Sequence, residues 1–401
     1  MLRDWISAVQ QHAVGESDAA LARIGAWTYD DLEMMRAYVE ALADLPIKDN
    51  RDRARRRSLI DDQDRAEIAE LRKLAVPRDF TTFLKRAALF HTDAVLLGTS
   101  PPISVAPPMP RQQKPDWASR ETAERRVNVR SRDGRLENFE LANPHWQFAM
   151  DMLEALPAAP RRDPIVALWF RAIGAHFARE RNYADALQHF TRARRMVPDA
   201  AEVLFGEACL QESLGSPRNQ EYVRITVLPN GSKFLEVEDA QTHFRRAESL
   251  LRRALAVDPG LIEARLRLGR VLGQQGRYED ALRELALVVA APPDRALGYY
   301  AQLFIGDTTH ALGRLDEAQA AYQVAIELYP HTQAARIGLG AASRAAGDRT
   351  AALAAILPTL NERVDSRDGT DDPWWNYYDG DAANLTALME RLQAPFQGRM
   401  Q

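Results

Sequence analysis

The chain has 401 residues, enough for two or three globular domains or one extended repeat array. Hydrophobic residues at 46% and charged residues at 27% are ordinary for a folded soluble chain and exclude wholesale disorder. Lys and Arg number 52 against 56 Asp and Glu, a net charge of −4 that argues against a nucleic-acid partner, and the one cysteine, Cys209, excludes a disulfide framework or a Cys-rich zinc site.

The start, Met1-Leu2-Arg3-Asp4-Trp5, has no basic stretch leading into an apolar core. As written it reads as cytoplasmic; an exported or periplasmic location is expected if a signal peptide has been removed. Residues 1–98 read as an N-terminal helical region, with amphipathic stretches at 2–12, 29–45 and 66–74. The basic run at 49–57 reads as a solvated loop rather than an anionic-surface patch, because Asp61, Asp62 and Asp64 cancel much of its field.

Residues 99–143 form a Pro-rich connection followed by a candidate β-hairpin, in which Val127 and Val129 precede an Asp133-Gly134 turn. Residues 144–164 read as a helix leading into a repeat array. Residues 80–156 together read as a degenerate copy of that repeat, with the hairpin as an insertion. The longest apolar stretch, 285–291, falls far short of the roughly 20 residues of a membrane helix, so no membrane span is expected.

Residues 165–360 carry the repeat itself. Four segments place Ala, then an apolar residue four later, a small or β-branched residue three later and Pro five later. They are Ala186-Phe190-Ala193-Pro198, Ala247-Leu251-Ala254-Pro259, Ala281-Leu285-Val288-Pro293 and Ala318-Tyr322-Ala325-Pro330. A fifth, partial copy has Ala352 and Ile356, and the starting alanines are 61, 34, 37 and 34 residues apart. Upstream of each lies a second helix centred on a small residue: Gly174, Ala208, Gly269, Gly306 and Gly340. A small residue there lets the partner helix approach closely, and the proline ends each pair. The extra length in the second copy, at about 215–241, alternates Val223, Ile225 and Val227 before Asn230-Gly231, a second β-hairpin signal. We expect the two hairpins to pair into a small sheet.

At these residues the chain resembles the tetratricopeptide repeat (TPR) family. The resemblance implies an all-α fold, a right-handed TPR superhelical solenoid, here with the N-terminal helical region and small β-hairpin insertions. Residues 361–401, with Asp371-Asp372-Pro373-Trp374-Trp375-Asn376-Tyr377-Tyr378 and a final amphipathic helix, read as an aromatic segment and capping helix over the solenoid end. With His91-Thr92-Asp93 and Asn143-Pro144-His145-Trp146, this ending also resembles a group of bacterial repeat proteins that share an Asp-Pro-Trp-Trp segment and often carry an export signal.

No catalytic constellation stands out. The eight histidines are scattered, Gly338-Leu339-Gly340 lacks the strand a dinucleotide site needs, and there is no Gly-x-Ser-x-Gly elbow or Gly-Lys-Ser/Thr loop. We expect no enzyme, no metal and no cofactor; an alternative catalytic site would use His91, Asp93, His145 and Trp146.

The resemblance implies a concave groove lined by the first helix of each repeat. Its candidate protein-binding residues are Arg171, Phe205, Leu266, Arg270, Tyr300, Leu303, Asp307, His310 and Arg344, which suit a peptide anchored by aromatic and Arg contacts. The expected function is a non-catalytic protein–protein interaction scaffold whose partner is a protein or peptide. The alternative is a self-assembling structural component, a homo-oligomer or filament subunit joined through hairpin edges or solenoid ends.

Overall fold

The computed structural model describes residues 2–24, 27, 29–43, 59–74, 83–88, 90, 152, 164–179, 183–217, 219, 239–291, 294–361, 372–377, 379–388 and 390–391. Both expected hairpins, the basic run, the Pro-rich connection and the His91–Asp93–His145–Trp146 group lie outside the described residues. Among the described residues there is no strand. No described helix is long and apolar enough to cross a membrane.

Four helices open the chain: α1 (Leu2–Ala13), α2 (Ser17–Ile24), α3 (Tyr29–Ala43) and α4 (Asp62–Leu74). Helix α2 was not expected; its eight residues are too few for a convincing period. Ten further helices form five antiparallel pairs. They are α5 (Pro164–Arg179) with α6 (Tyr183–Met196), α7 (Ala201–Gly215) with α8 (Ala240–Val257), and α9 (Ile262–Gln274) with α10 (Tyr278–Val289). Next come α11 (Arg295–Ala311) with α12 (Leu315–Leu328), and α13 (Gln333–Ala345) with α14 (Arg349–Asn361). Within these ten, each helix packs on its sequence neighbours, the arrangement of an all-α solenoid.

The repeat pattern has a direct packing cause. In four of the five pairs the large residue four after the starting alanine lies against the glycine of its own first helix. A Cβ built on Gly174 would stand 2.1 Å from the Phe190 ring, one on Gly269 2.7 Å from Leu285, one on Gly306 2.6 Å from Tyr322 and one on Gly340 2.7 Å from Ile356. Phe190 and Tyr322 also reach forward, to 3.0 Å from a Cβ on Gly206 and 2.4 Å from one on Gly338. One ring therefore locks two consecutive repeats together.

Turn and cap chemistry fix the helix ends. Gly276, Gly313 and Gly347 have φ of 75°, 75° and 88°, the left-handed conformation that closes α9, α11 and α13. Asp239 and Asp294 cap α8 and α11 by accepting from the backbone N–H of Thr242 and Leu297, both at 2.8 Å. The N-terminal helices share one core with the first pair: Trp5, Val39 and Ile68 cluster with Trp169, Phe170 and Phe190. Two residues from far along the chain, Leu385 and Leu388, join that same core.

After α14 the described chain resumes at Asp372, followed by a short helix α15 (Trp374–Tyr377), a 3-10 turn (Gly380–Asn384) and a helical stretch at 385–388. The expected cap over the solenoid end is not where these residues go. They turn back onto the first helices of the pairs, and the 3-10 turn packs on α5 and α7. Helix α14 keeps Leu353, Leu357 and Leu360 exposed at 64%, 51% and 74%. The aromatics have a physical reason to prefer the concave side, because arginines and rings there cover them on more than one face.

Candidate protein-binding groove

The concave face is built from α5, α7, α9 and α11. On α9, Glu263, Arg267 and Arg270 follow at spacings of four and three, so all three share one face. On α5 and α7, Arg171 and Phe205 sit three residues before Gly174 and Ala208. Arg171, Arg267 and Arg270 are buried, at 4%, 4% and 8% exposure, although guanidinium groups are seldom buried without partners. What buries them is the segment 372–391.

The segment is held at four places along the groove. Asp372 accepts from the Tyr299 hydroxyl at 2.8 Å and from the backbone N–H groups of Gln333 and Ala334 at 2.8 and 3.2 Å, where α13 begins. A helix N-terminus favours an anion. Tyr299 also hydrogen-bonds Thr332 at 2.6 Å, and Tyr300 donates to the Pro373 carbonyl at 2.6 Å.

The second place is aromatic. Trp374 and Tyr377 stack with centroids 5.7 Å apart, and both meet Phe304 edge-on at 6.1 and 5.1 Å. The Arg270 guanidinium lies over Phe304, Trp374 and Tyr377 at 4.5, 4.8 and 5.0 Å, a cation shared by three rings. Arg267, one turn earlier on α9, lies 4.8 Å over Tyr377.

Beneath the rings is a buried charge cluster. Tyr377 donates to Glu212 at 2.6 Å, and Arg267 donates to Glu212 and Glu263, each at 2.9 Å. Arg270 pairs with the same Glu212 at 3.4 Å. Burial together with Glu212 pushes the Tyr377 hydroxyl far above its ordinary range, so it remains a donor at every physiological pH.

The third place is Arg171. Its Nε and Nη2 donate to the two oxygens of Asp381, both at 2.6 Å, in a fork geometry that carboxylates match. Its remaining Nη1 donates to Glu202, and its guanidinium lies 4.5 Å over the Phe205 ring. Burial disfavours the Arg171 charge, yet Asp381 and Glu202 outweigh it and hold the group firmly protonated. Glu202 is pulled below the usual carboxylate range because Arg171 more than offsets its burial.

Last, Arg391 donates to Glu202 at 2.6 Å and Asn384 to Glu263 at 3.3 Å. Gly380, with φ of 57°, passes close to α7, where an added Cβ would stand 3.5 Å from Ser213 Oγ and 3.6 Å from Cys209 Cβ. Cys209 is fully covered there, and burial raises its thiol well above the ordinary value.

Six of the nine candidate residues lie in or under this contact. Arg171, Phe205, Arg270 and Tyr300 touch the segment or stack against residues that do. Leu266 and Leu303 belong to the buried cluster that includes Tyr377. Asp307 and Arg344 are exposed and His310 half-buried on the continuing first helices, with Asp307 accepting from Tyr322 at 2.7 Å. The repeat period did not single out Arg267, Tyr299 or Phe304. The spacing Glu263, Arg267, Arg270 was a readable signal for the first of these.

Among the described residues no group of three or more His, Cys, Asp or Glu side chains is placed to hold a metal ion. No curated protein matches the chain. A tetratricopeptide repeat model matches residues 240–303, and a second such model matches 154–217 and 309–357. Similar solved structures include MamA of Desulfovibrio magneticus RS-1, 21% identical over 50% of this chain and 94% of that one, with a TM-score of 0.36. Others are a MamA chain described as MSR-1 C2, 20% identical over 49% and 96% with a TM-score of 0.35, and the TPR domain of P58(IPK), 17% identical over 87% and 98% with a TM-score of 0.25. The matched segments together span all five helix pairs in whole or in large part, and these helix pairs are tetratricopeptide repeats.

Proposed function

We propose that the chain is a non-catalytic protein–protein interaction scaffold whose concave face receives a polypeptide segment. One observation carries this reading: the face formed by α5, α7, α9 and α11 already seats a stretch of polypeptide, residues 372–391, through side chains of all four helices. A surface that holds one peptide by an arginine fork, a cation–aromatic stack and hydroxyl donors has the contacts that dominate peptide recognition. Arg171, Phe205, Leu266, Arg270, Tyr300 and Leu303 form the seat, and Asp307, His310 and Arg344 extend it with accessible side chains. The partner is a protein or peptide.

The test is site-specific photocrosslinking from positions 307 and 344, with position 283 on α10 as an exposed control. The same polypeptide crosslinked from both groove positions, and lost from both in His310→Glu, supports the reading. Equal labelling from position 283 counts against it.

A second reading, assembly of copies through a solenoid end, draws support from the exposed Leu353, Leu357 and Leu360 of α14. Light scattering across a concentration series tests it. A mass that stays near 45.1 kDa removes this second reading.

A further inference from the structure

We propose that the partner segment is acidic and aromatic, in the register of Asp372, Trp374, Tyr377 and Asp381, and that residues 372–391 are a resident occupant it must displace. This inference rests on the scaffold reading above and specifies what the groove accepts.

The seat is selective along its length. At one end the N–H groups of Gln333 and Ala334 and the Tyr299 hydroxyl converge on one carboxylate. In the middle Arg270 needs aromatic faces, and Phe304 and Tyr300 supply edges for them. At the other end Arg171 presents two parallel donors to a second carboxylate nine residues further along. A segment lacking either acid leaves donors aimed at nothing, and one lacking the rings leaves Arg270 unstacked. Such omissions are discriminated strongly once water is excluded.

The layer under the segment favours displacement. Contacts that never open are usually apolar, because a buried ion pair is no more stable than well-packed hydrophobic groups of the same volume. Here the buried layer holds Arg171, Arg267, Arg270 and Glu212. All of these regain water if the segment leaves, while the array keeps its own glycine-against-ring packing. Around Asp372 and Asp381 the layer resembles a polar interface that parts, whereas Tyr377, Leu385 and Leu388 are seated in apolar cores, so displacement begins at the two carboxylates. Because the resident segment is tethered, it competes at a high effective concentration, and a free segment of the same chemistry binds weakly until the resident one is loosened.

The experiment uses the full chain and a fluorescent synthetic peptide matching residues 370–392, read by anisotropy. The wild type should bind it weakly, and the double variant Tyr377→Ala with Asp381→Ala, confirmed folded by circular dichroism, at least tenfold more tightly. Peptides carrying Asp381→Asn or Trp374→Ala should bind that variant at least tenfold more weakly than the parent peptide. A folded variant that binds no better than wild type overturns the proposal, as does indifference to the peptide substitutions.

Should the double variant unfold, hydrogen–deuterium exchange on the wild type decides. Saturating peptide should raise exchange within 372–391, and unchanged exchange overturns displacement. If scattering instead reveals dimers whose 372–391 segments sit in each other's grooves, the occupant is a second copy and the proposal fails. Groove crosslinks that persist while the peptide fails leave the scaffold reading standing and reject only the acidic–aromatic register; loss of both rejects the two together.

Discussion

Arg171 and Asp381 are 210 residues apart in sequence, yet they meet through two parallel hydrogen bonds of 2.6 Å on a buried face. Asp381→Ala should weaken docking of the segment by about 2–3 kcal/mol, the upper part of the range for hydrogen bonds to charged groups. That corresponds to a roughly 30- to 150-fold shift in the opening equilibrium. Limited proteolysis should then cut within 372–391 correspondingly faster. The global loss in urea should be smaller than the docking loss, because the released Arg171 rehydrates.

Neighbouring aromatics should behave very differently. Tyr377→Phe removes the hydroxyl that Glu212 accepts and should cost about 1–2 kcal/mol. Tyr377→Ala should cost about 3 kcal/mol or more by opening a cavity beside Phe304 and Arg270. Trp375, 47% exposed, should tolerate alanine within about 0.5 kcal/mol. Urea denaturation of the three variants checks the ranking.

Gly306→Ala tests the repeat packing. Alanine favours a helix over glycine by about 1 kcal/mol, but its Cβ would stand 2.6 Å from the Tyr322 ring. Overpacking of this kind costs about 1–3 kcal/mol, so net destabilisation is expected. Pairing it with Tyr322→Leu should recover part of the loss, and a double-mutant cycle by thermal denaturation measures that coupling.

His189 predicts an acid sensitivity. The ring is buried in the first pair and hydrogen-bonded at 3.2 Å to the Phe170 carbonyl, and burial holds its pKa down to about 3. The unfolded chain takes up this proton near pH 6.5, so the folded state binds fewer protons between those values. The His189 contribution is therefore intact above about pH 6.5 and falls as pH drops through the window towards 3. By pH 5 the loss is about 2 kcal/mol, from about 1.4 kcal/mol per pH unit. His189→Gln should flatten the stability profile between pH 7 and 5, measured by denaturant midpoints; an unchanged slope would remove His189 as the cause.

The helix pairs were legible because their cause is local and repeated. Gly174, Gly269, Gly306 and Gly340 each oppose the residue four after a starting alanine, and that contact recurs at a near-constant spacing. The groove-lining positions followed from the same period. The place of the aromatic segment did not, because Asp381 finds Arg171 across 210 residues with no periodic signal linking them. Its aromatics carried the expectation of burial but no address. Capping the last repeat was a sound rule, overridden here because Arg270 and Phe304 offer Trp374 more contact than α14 does.

Rings shared by consecutive repeats, such as Tyr322 between Gly306 and Gly338, couple each repeat only to its neighbours, so an array built on them alone opens one unit at a time. Residues 372–391 join α13 to α5 in a single span, from the Gln333 amide to the Arg171 guanidinium. The span turns an open row of links into a closed loop. While it is seated, the middle repeats can melt only together; once it lifts, the same chain becomes a row of nearly independent units, and loosening one strap softens the whole spring.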